Sequence, residues 1–170
     1  LTAVSFMCAG TTSYITVNGT PIVNSITQTV ANITIAQDAP LGACDVIATT
    51  NLETITCTGA FTIVPGCVGV APASAAQEAT LEVTITGSNT NFEDGLTAVS
   101  FMCAGTTSYI TVNSTQVNSA TEVVANITIA DDATLGACDV TATTGAERVS
   151  CSEGFAINAP VPGCAGVAPA

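Results

Sequence analysis

The sequence predicts an all-β chain built as a tandem of antiparallel sandwiches. Three observations carry that expectation: apolar residues alternate with period two, turn signals cut the chain into short runs, and one unit occurs twice. The composition agrees. Of 170 residues 48% are hydrophobic, with Ala, Val and Ile prominent beside abundant Thr, and only 8% are charged. Such a mixture suits pleated, half-buried surfaces better than helices.

The repeat sets the organisation. LTAVSFMCAGTTSYITVN at 1–18 recurs unchanged at 96–113, and after a one-residue deletion VANITIAQDAPLGACDV at 30–46 becomes VANITIADDATLGACDV at 124–140. Both copies end in GVAPA, and the unit spans about 95 residues, the size of one small sandwich domain. The segment Ser74 to Gly95, with EATLEVTITGSNTNFEDG, lies between the copies, and no equivalent precedes Leu1. Residues 1–65 are therefore expected to form a repeat lacking its first strand, completed by a preceding repeat or a neighbouring subunit. A Cys/Pro/Gly linker is expected over 66–77, a complete repeat over 78–158, and over 159–170 a linker to a next repeat or subunit. Without a partner, the open edge of the first copy would be an aggregation hazard.

Within the unit the elements follow in order. Leu81, Val83 and Ile85 alternate with Glu82, Thr84 and Thr86; Val99 and Phe101 alternate with Ala98 and Ser100. Val123, Ala125, Ile127 and Ile129 form a third inward row, offset by Val124, Asn126, Thr128 and Ala130. GSNTN, EDG, CAGTT, DDATLG and TTGAE supply the turns between these runs. A two-residue turn at Thr144-Gly145 would place Val140 opposite Val149 and Cys138 opposite Cys151, and the same register about Thr50-Asn51 would set Cys44 opposite Cys57, each cysteine pair then close enough for a disulfide bridge.

Composition also removes whole classes of function. The net charge is −12 with Arg148 as the one basic residue, so phosphate neutralisation and anionic-membrane binding are excluded. No histidine is present, which removes the commonest general base together with Ser-His and Cys-His nucleophile systems. A non-enzymatic protein with no catalytic residues is expected. The most apolar stretch, Gly59 to Ala76, is broken by Pro65, Gly66, Gly69 and Pro72, so membrane insertion is not expected. Leu1 is preceded by neither Met nor a basic leader, so any secretion signal is expected to have been removed or to lie outside this sequence. Eight cysteines, an even number, suit disulfides in an oxidising, extracellular setting.

The string TLEVTITGSNTNFEDGLTAVSF, followed by ANITIADDATLGACDVTATTG and GFAI, resembles the IPT/TIG-type immunoglobulin-like repeats of bacterial secreted and cell-surface proteins. The resemblance covers Glu78 to Ile157, and Leu1 to Ile63 in the incomplete copy. It implies tandem immunoglobulin-like sandwiches and extracellular spacing or binding roles. Four cysteines per unit depart from the family pattern. In such a sandwich the end of the early VSF strand lies near the start of the sixth strand and the end of the seventh, so Cys8 is expected to pair with Cys67, and Cys103 with Cys164. Those staples would tie each outgoing linker to its own domain, each contributing roughly 2–4 kcal/mol. Cys8 with Cys44 stays open, as do linker cysteines that cross to a neighbouring chain. A four-cysteine metal site lacks supporting CxxC spacing.

Other polar features are weaker signals. Asn18, Asn32, Asn113 and Asn126 each begin an N-x-[ST] sequon, an acceptor for N-glycans where the producing organism has the machinery. Asp131-Asp132 and Glu93-Asp94 offer oxygens to Ca²⁺ at a joint between repeats, but the DxDxDG spacing is missing, and no metal or other cofactor is expected. Residues 1–75 carry only Asp38, Asp45 and Glu53, which fits either outer faces of copy one covered by neighbours or glycans or a Thr/Ser-rich surface that is polar without charge. The leading expectation is a structural repeat of an extracellular bacterial filament, sheath or surface stalk, assembled by strand pairing and disulfides, with copies of itself or adjacent repeats as partners. The alternative is an adhesin or binding module whose SNTNFEDG and IADDAT loops recognise a glycan or protein receptor.

Overall fold

The structure, a computed structural model, describes residues 3–160 of the chain. It divides into two compact units, Leu1–Pro65 and Gly66–Ala170. The first holds seven strands among the described residues: β1 (Ala3–Cys8), β2 (Ile15–Val17), β3 (Ile22–Ser25), β4 (Gln28–Val30), β5 (Ile33–Ile35), β6 (Gly42–Thr49) and β7 (Thr54–Ile63). The second holds β8 (Gly66–Ala71), β9 (Ser74–Ala76), β10 (Thr80–Ser88), β11 (Thr97–Cys103), β12 (Ile110–Ser119), β13 (Glu122–Ile129), β14 (Gly136–Thr144) and β15 (Glu147–Asn158).

Unit 2 is a complete sandwich of two four-stranded sheets, ordered β12-β13-β10-β8 and β11-β14-β15-β9. The alternating rows face inward as their period requires: Val83, Ile85, Val123, Ala125 and Ile127 are fully buried. From the opposite sheet Phe101, Val140, Val149 and Phe155 meet them in one core, with Phe101 and Phe155 edge to face at 5.5 Å between ring centroids. The stretch expected as a linker over 66–77 instead supplies β8 and β9. Its alternating small and apolar residues can enter both sheets: β8 pairs antiparallel with β10, and β9 pairs parallel with β15. The Ala71–Pro72 peptide between them is cis. Of the terminal linker expected over 159–170, residues 161–170 lie outside the described residues.

Strand order β8-β10-β13-β12 over β9-β15-β14-β11 is that of an immunoglobulin-like sandwich, with the first strand divided between the two sheets. The hairpin register differs from the expectation. The β14–β15 turn falls at Gly145-Ala146, because Thr144 pairs with Glu147, and this sets Val140 opposite Cys151. A bulge between Cys138 and Val140 shifts the register again and leaves Cys138 opposite Phe155. In unit 1 the loop is longer, since Thr49 pairs with Thr54, and the same bulge sets Val46 opposite Cys57 and Cys44 opposite Phe61.

Unit 1 has one sheet ordered β1-β6-β7 and two short hairpin ladders, β2-β5 and β3-β4. The first matches β11-β14-β15 and the ladders match β12-β13, cut in two. Asn18-Gly19-Thr20-Pro21 replaces the shorter Asn113-Ser114-Thr115, and Pro21 has no N–H to give to a ladder. Among the described residues unit 1 has no counterpart of β8, β9 or β10. Its core is correspondingly small: Phe6, Cys8, Ile15, Ala39, Cys44 and Ile63.

Candidate functional site

Cysteine chemistry and one open face are the features that distinguish the two units. In unit 1 the disulfide is Cys8–Cys44, and in unit 2 the equivalent bond is Cys103–Cys138. Both follow from register: Cys8 lies opposite Cys44 across β1 and β6, and Cys103 opposite Cys138 across β11 and β14. Their Cα atoms stand 4.4 and 4.3 Å apart, within reach of a bridge. These replace the expected Cys44–Cys57 and Cys138–Cys151 pairs, which the position of the turn already takes out of register, and the expected Cys8–Cys67 and Cys103–Cys164 staples.

The third disulfide is Cys67–Cys151, with Cα atoms 5.3 Å apart and a sequence separation of 84. It joins β8 in one sheet to β15 in the other, so it is the covalent tie between the two layers of unit 2. Cys67 therefore staples to the unit that follows it in sequence, not to the one before it. Cys57, at the position of Cys151, is an exposed free thiol in place of the disulfide cysteine expected there. Cys164 lies outside the described residues.

The bulge is held in each unit by a side chain that the sequence pattern does not single out. Asp139 Oδ1 accepts from the Glu153 amide at 2.8 Å, and Asp45 Oδ1 accepts from the Gly59 amide at 2.8 Å. Glu153 and Gly59 both take positive φ, 53° and 62°. The repetition of ACDV in both copies was the one available signal for this clamp.

The open face of unit 1 lies where unit 2 is closed. Val149 is 1% exposed, whereas Ile55 at the same position is 51% exposed. Val23, on the same face, is also exposed. Between the β3–β4 hairpin and β6–β7 runs a groove of about 450 Å³ lined by Val23, Ile26, Thr29, Ala48, Glu53 and Ile55. In unit 2 the corresponding Val123, Ala142 and Val149 share a core with Val83, Ile85 and Phe92 of the 80–92 segment. Polar groups there are also met by that segment. Thr90 Oγ1 donates to the Ala120 carbonyl at 2.7 Å, the Phe92 amide donates to the same oxygen at 2.9 Å, and the Asn91 amide donates to the Glu147 carboxylate at 3.0 Å. Glu53 holds the position of Glu147 in unit 1.

The sequon asparagines face one another across strands. Asn113 Nδ2 donates to Asn126 Oδ1 at 2.8 Å and to Thr128 Oγ1 at 2.9 Å, and Asn18 Nδ2 donates to Thr34 Oγ1 at 2.8 Å. A glycan on Asn113 or Asn18 would be attached at that same donating nitrogen. Asp131 and Asp132 are exposed in a turn, and among the described residues no three His, Cys, Asp or Glu side chains group to hold a metal. No helix among the described residues is long and apolar enough to cross a membrane.

The strand order and the bonded cysteines define an all-β chain of tandem immunoglobulin-like sandwiches with disulfides. No family model matches the chain. A search of curated proteins returns no match. Among solved structures the chain is similar to the titin Z1Z2 domains in complex with telethonin, at 15% identity over 93% of this chain and 81% of that one, with a TM-score of 0.33. It is similar to a titin Ig tandem at 11% identity over 93% of this chain and 82% of that one, TM-score 0.31. It is also similar to domains 4 and 5 of the S-layer protein SbsC at 18% identity over 71% and 66%, TM-score 0.30.

Proposed function

We propose that the chain is a non-enzymatic structural repeat of an extracellular filament, sheath or surface stalk, in which units are completed and held by strand pairing and disulfides. One observation carries this reading. The same sequence unit occurs closed over a full core in one copy, and open along the face that the 80–92 segment covers in the other. Left bare, the exposed valine and isoleucine side chains and the free strand edges of unit 1 are a surface for association. A TLEVTITG-type strand from a preceding repeat or neighbouring subunit would fill the groove with residues like Val83 and Ile85 and bring an Asn91-like amide to Glu53.

The resemblance to IPT/TIG-type repeats and the use of disulfides both favour a secreted setting. A charge-poor, threonine-rich surface gives polarity with few charged groups. Negative-stain electron microscopy of the native material tests the proposal. A periodic fibre with the repeat of these units supports it; dispersed particles whose melting temperature rises with an added glycan or protein ligand overturn it in favour of a binding module.

A further inference from the structure

The chain contains one Asn-Gly pair, Asn18-Gly19, and it falls where copy one departs from copy two. Copy two has Asn113-Ser114 there, with Ser114 held in the β12–β13 ladder opposite Asn126. In copy one β2 ends at Val17 and β3 begins at Ile22, so Gly19 belongs to no strand. Asn18, Gly19 and Thr20 are exposed, Gly19 takes a φ of 74°, and a Cβ built on it would meet nothing within 4 Å. This exposure does not depend on whether a strand covers the open face of unit 1. In unit 2 the covering strand β10 borders β13 and not β12, and Asn113 and Ser114 stay exposed beside it.

We infer that Asn18 is a site of spontaneous deamidation, converting to aspartate and isoaspartate through a cyclic imide formed with Gly19. The Gly19 backbone nitrogen loses its proton and attacks Asn18 Cγ. The bond from Cγ to Nδ2 breaks and ammonia leaves, closing a five-membered succinimide. Water then opens the ring at either carbonyl. Breaking the bond from the Gly19 nitrogen to Cγ gives aspartate; breaking its bond to the Asn18 main-chain carbonyl carbon gives isoaspartate. Water is the only co-reactant.

Glycine obstructs this attack least, because without a Cβ its peptide nitrogen can turn toward Cγ through conformations that a side chain forbids. Ser114 has both a Cβ and a ladder to leave. Asp94-Gly95 shares an exposed glycine, at φ 77°, but starts as a carboxylate that must be protonated before an oxygen can depart. The change at Asn18 also alters a clasp. Its Nδ2 donates to Thr34 Oγ1 at 2.8 Å and to Asn32 Oδ1 at 3.3 Å, and its backbone amide donates to the Asn32 carbonyl at 2.7 Å. Deamidation replaces the donating nitrogen with a carboxylate oxygen facing Asn32 Oδ1. The isoaspartate form further adds a methylene to the main chain between the β2-β5 and β3-β4 ladders.

Peptide mapping of the purified full chain, disulfides intact, during incubation in mildly alkaline buffer tests the site, with electron-transfer fragmentation to separate aspartate from isoaspartate. Expected is conversion at Asn18 at least about tenfold faster than at Asn113, yielding both products and accelerating as pH rises. Gly19→Ala slows it by about the same factor. Because that variant also strains a backbone at positive φ, Asn18→Gln is the second test: its longer side chain closes only a less favourable ring, and the acidic species that accumulates on ion exchange disappears. Conversion at Asn113 as fast as at Asn18 overturns the proposal. So do aspartate without isoaspartate, a rate that does not change with pH, and native protein in which Asn18 Nδ2 carries a glycan.

Discussion

Asp45 and Asp139 carry out one task in both units: each carboxylate accepts the amide of a residue at positive φ across the bulge that interrupts the last hairpin. A charged acceptor on a backbone N–H contributes about 1.5–3 kcal/mol. Asp139→Ala is expected to lower the unfolding free energy by about that amount, read as a shift in denaturant midpoint at unchanged slope. Why the pairing of cysteines was misread in sequence is visible at this scale. Equal spacing of Cys44 to Cys57 and Cys138 to Cys151 fits a simple hairpin, but the turn begins later and Asp139 adds a bulge, and neither is encoded by alternation. Glu153, a non-glycine at positive φ, gives no local warning of the bulge either.

At the scale of the strand, alternation was the reliable guide, and it placed the inward rows of β10, β11 and β13. It served less well for the 66–77 stretch. Gly, Pro and Cys there look like a linker, yet short residues let the chain cross from one sheet to the other as β8 and β9. The open groove could be read only in outline. The missing strand was visible as a gap in the repeat, but not the exposure of Ile55 and Val23 that results from it. Val149→Glu buries an unpaired carboxylate in the unit 2 core and is expected to cost more than 3 kcal/mol. Ile55→Glu, at the same position of a strand half open to water, is expected to change monomer stability by less than about 1 kcal/mol. Parallel denaturant titrations of the two variants check the contrast.

For the whole molecule the two units have unequal means of staying folded. Among the described residues unit 2 has a two-layer core and two disulfides, one of them between its sheets, and unit 1 has the smaller core around Phe6, Ile15 and Ile63 and one disulfide within a sheet. Scanning calorimetry of the chain in its monomeric form is therefore expected to resolve two transitions, unit 1 melting first. A single transition with equal calorimetric and van't Hoff enthalpies would contradict this.

The Cys67–Cys151 bond also fixes how unit 2 answers a pull on its two ends. Tension enters at Gly66, reaches Cys67 one residue later, and crosses directly to Cys151 in the last strand, bypassing the residues between them. A separation of 84 residues is thereby withheld from extension. At about 3.5 Å per residue, that is roughly 290 Å of hidden length. Single-molecule pulling is expected to show a short unfolding step for the oxidised unit and one longer by about that amount after reduction. The disulfide thus makes unit 2 a link whose stretched length is set by oxidation state rather than by how much of its chain is folded.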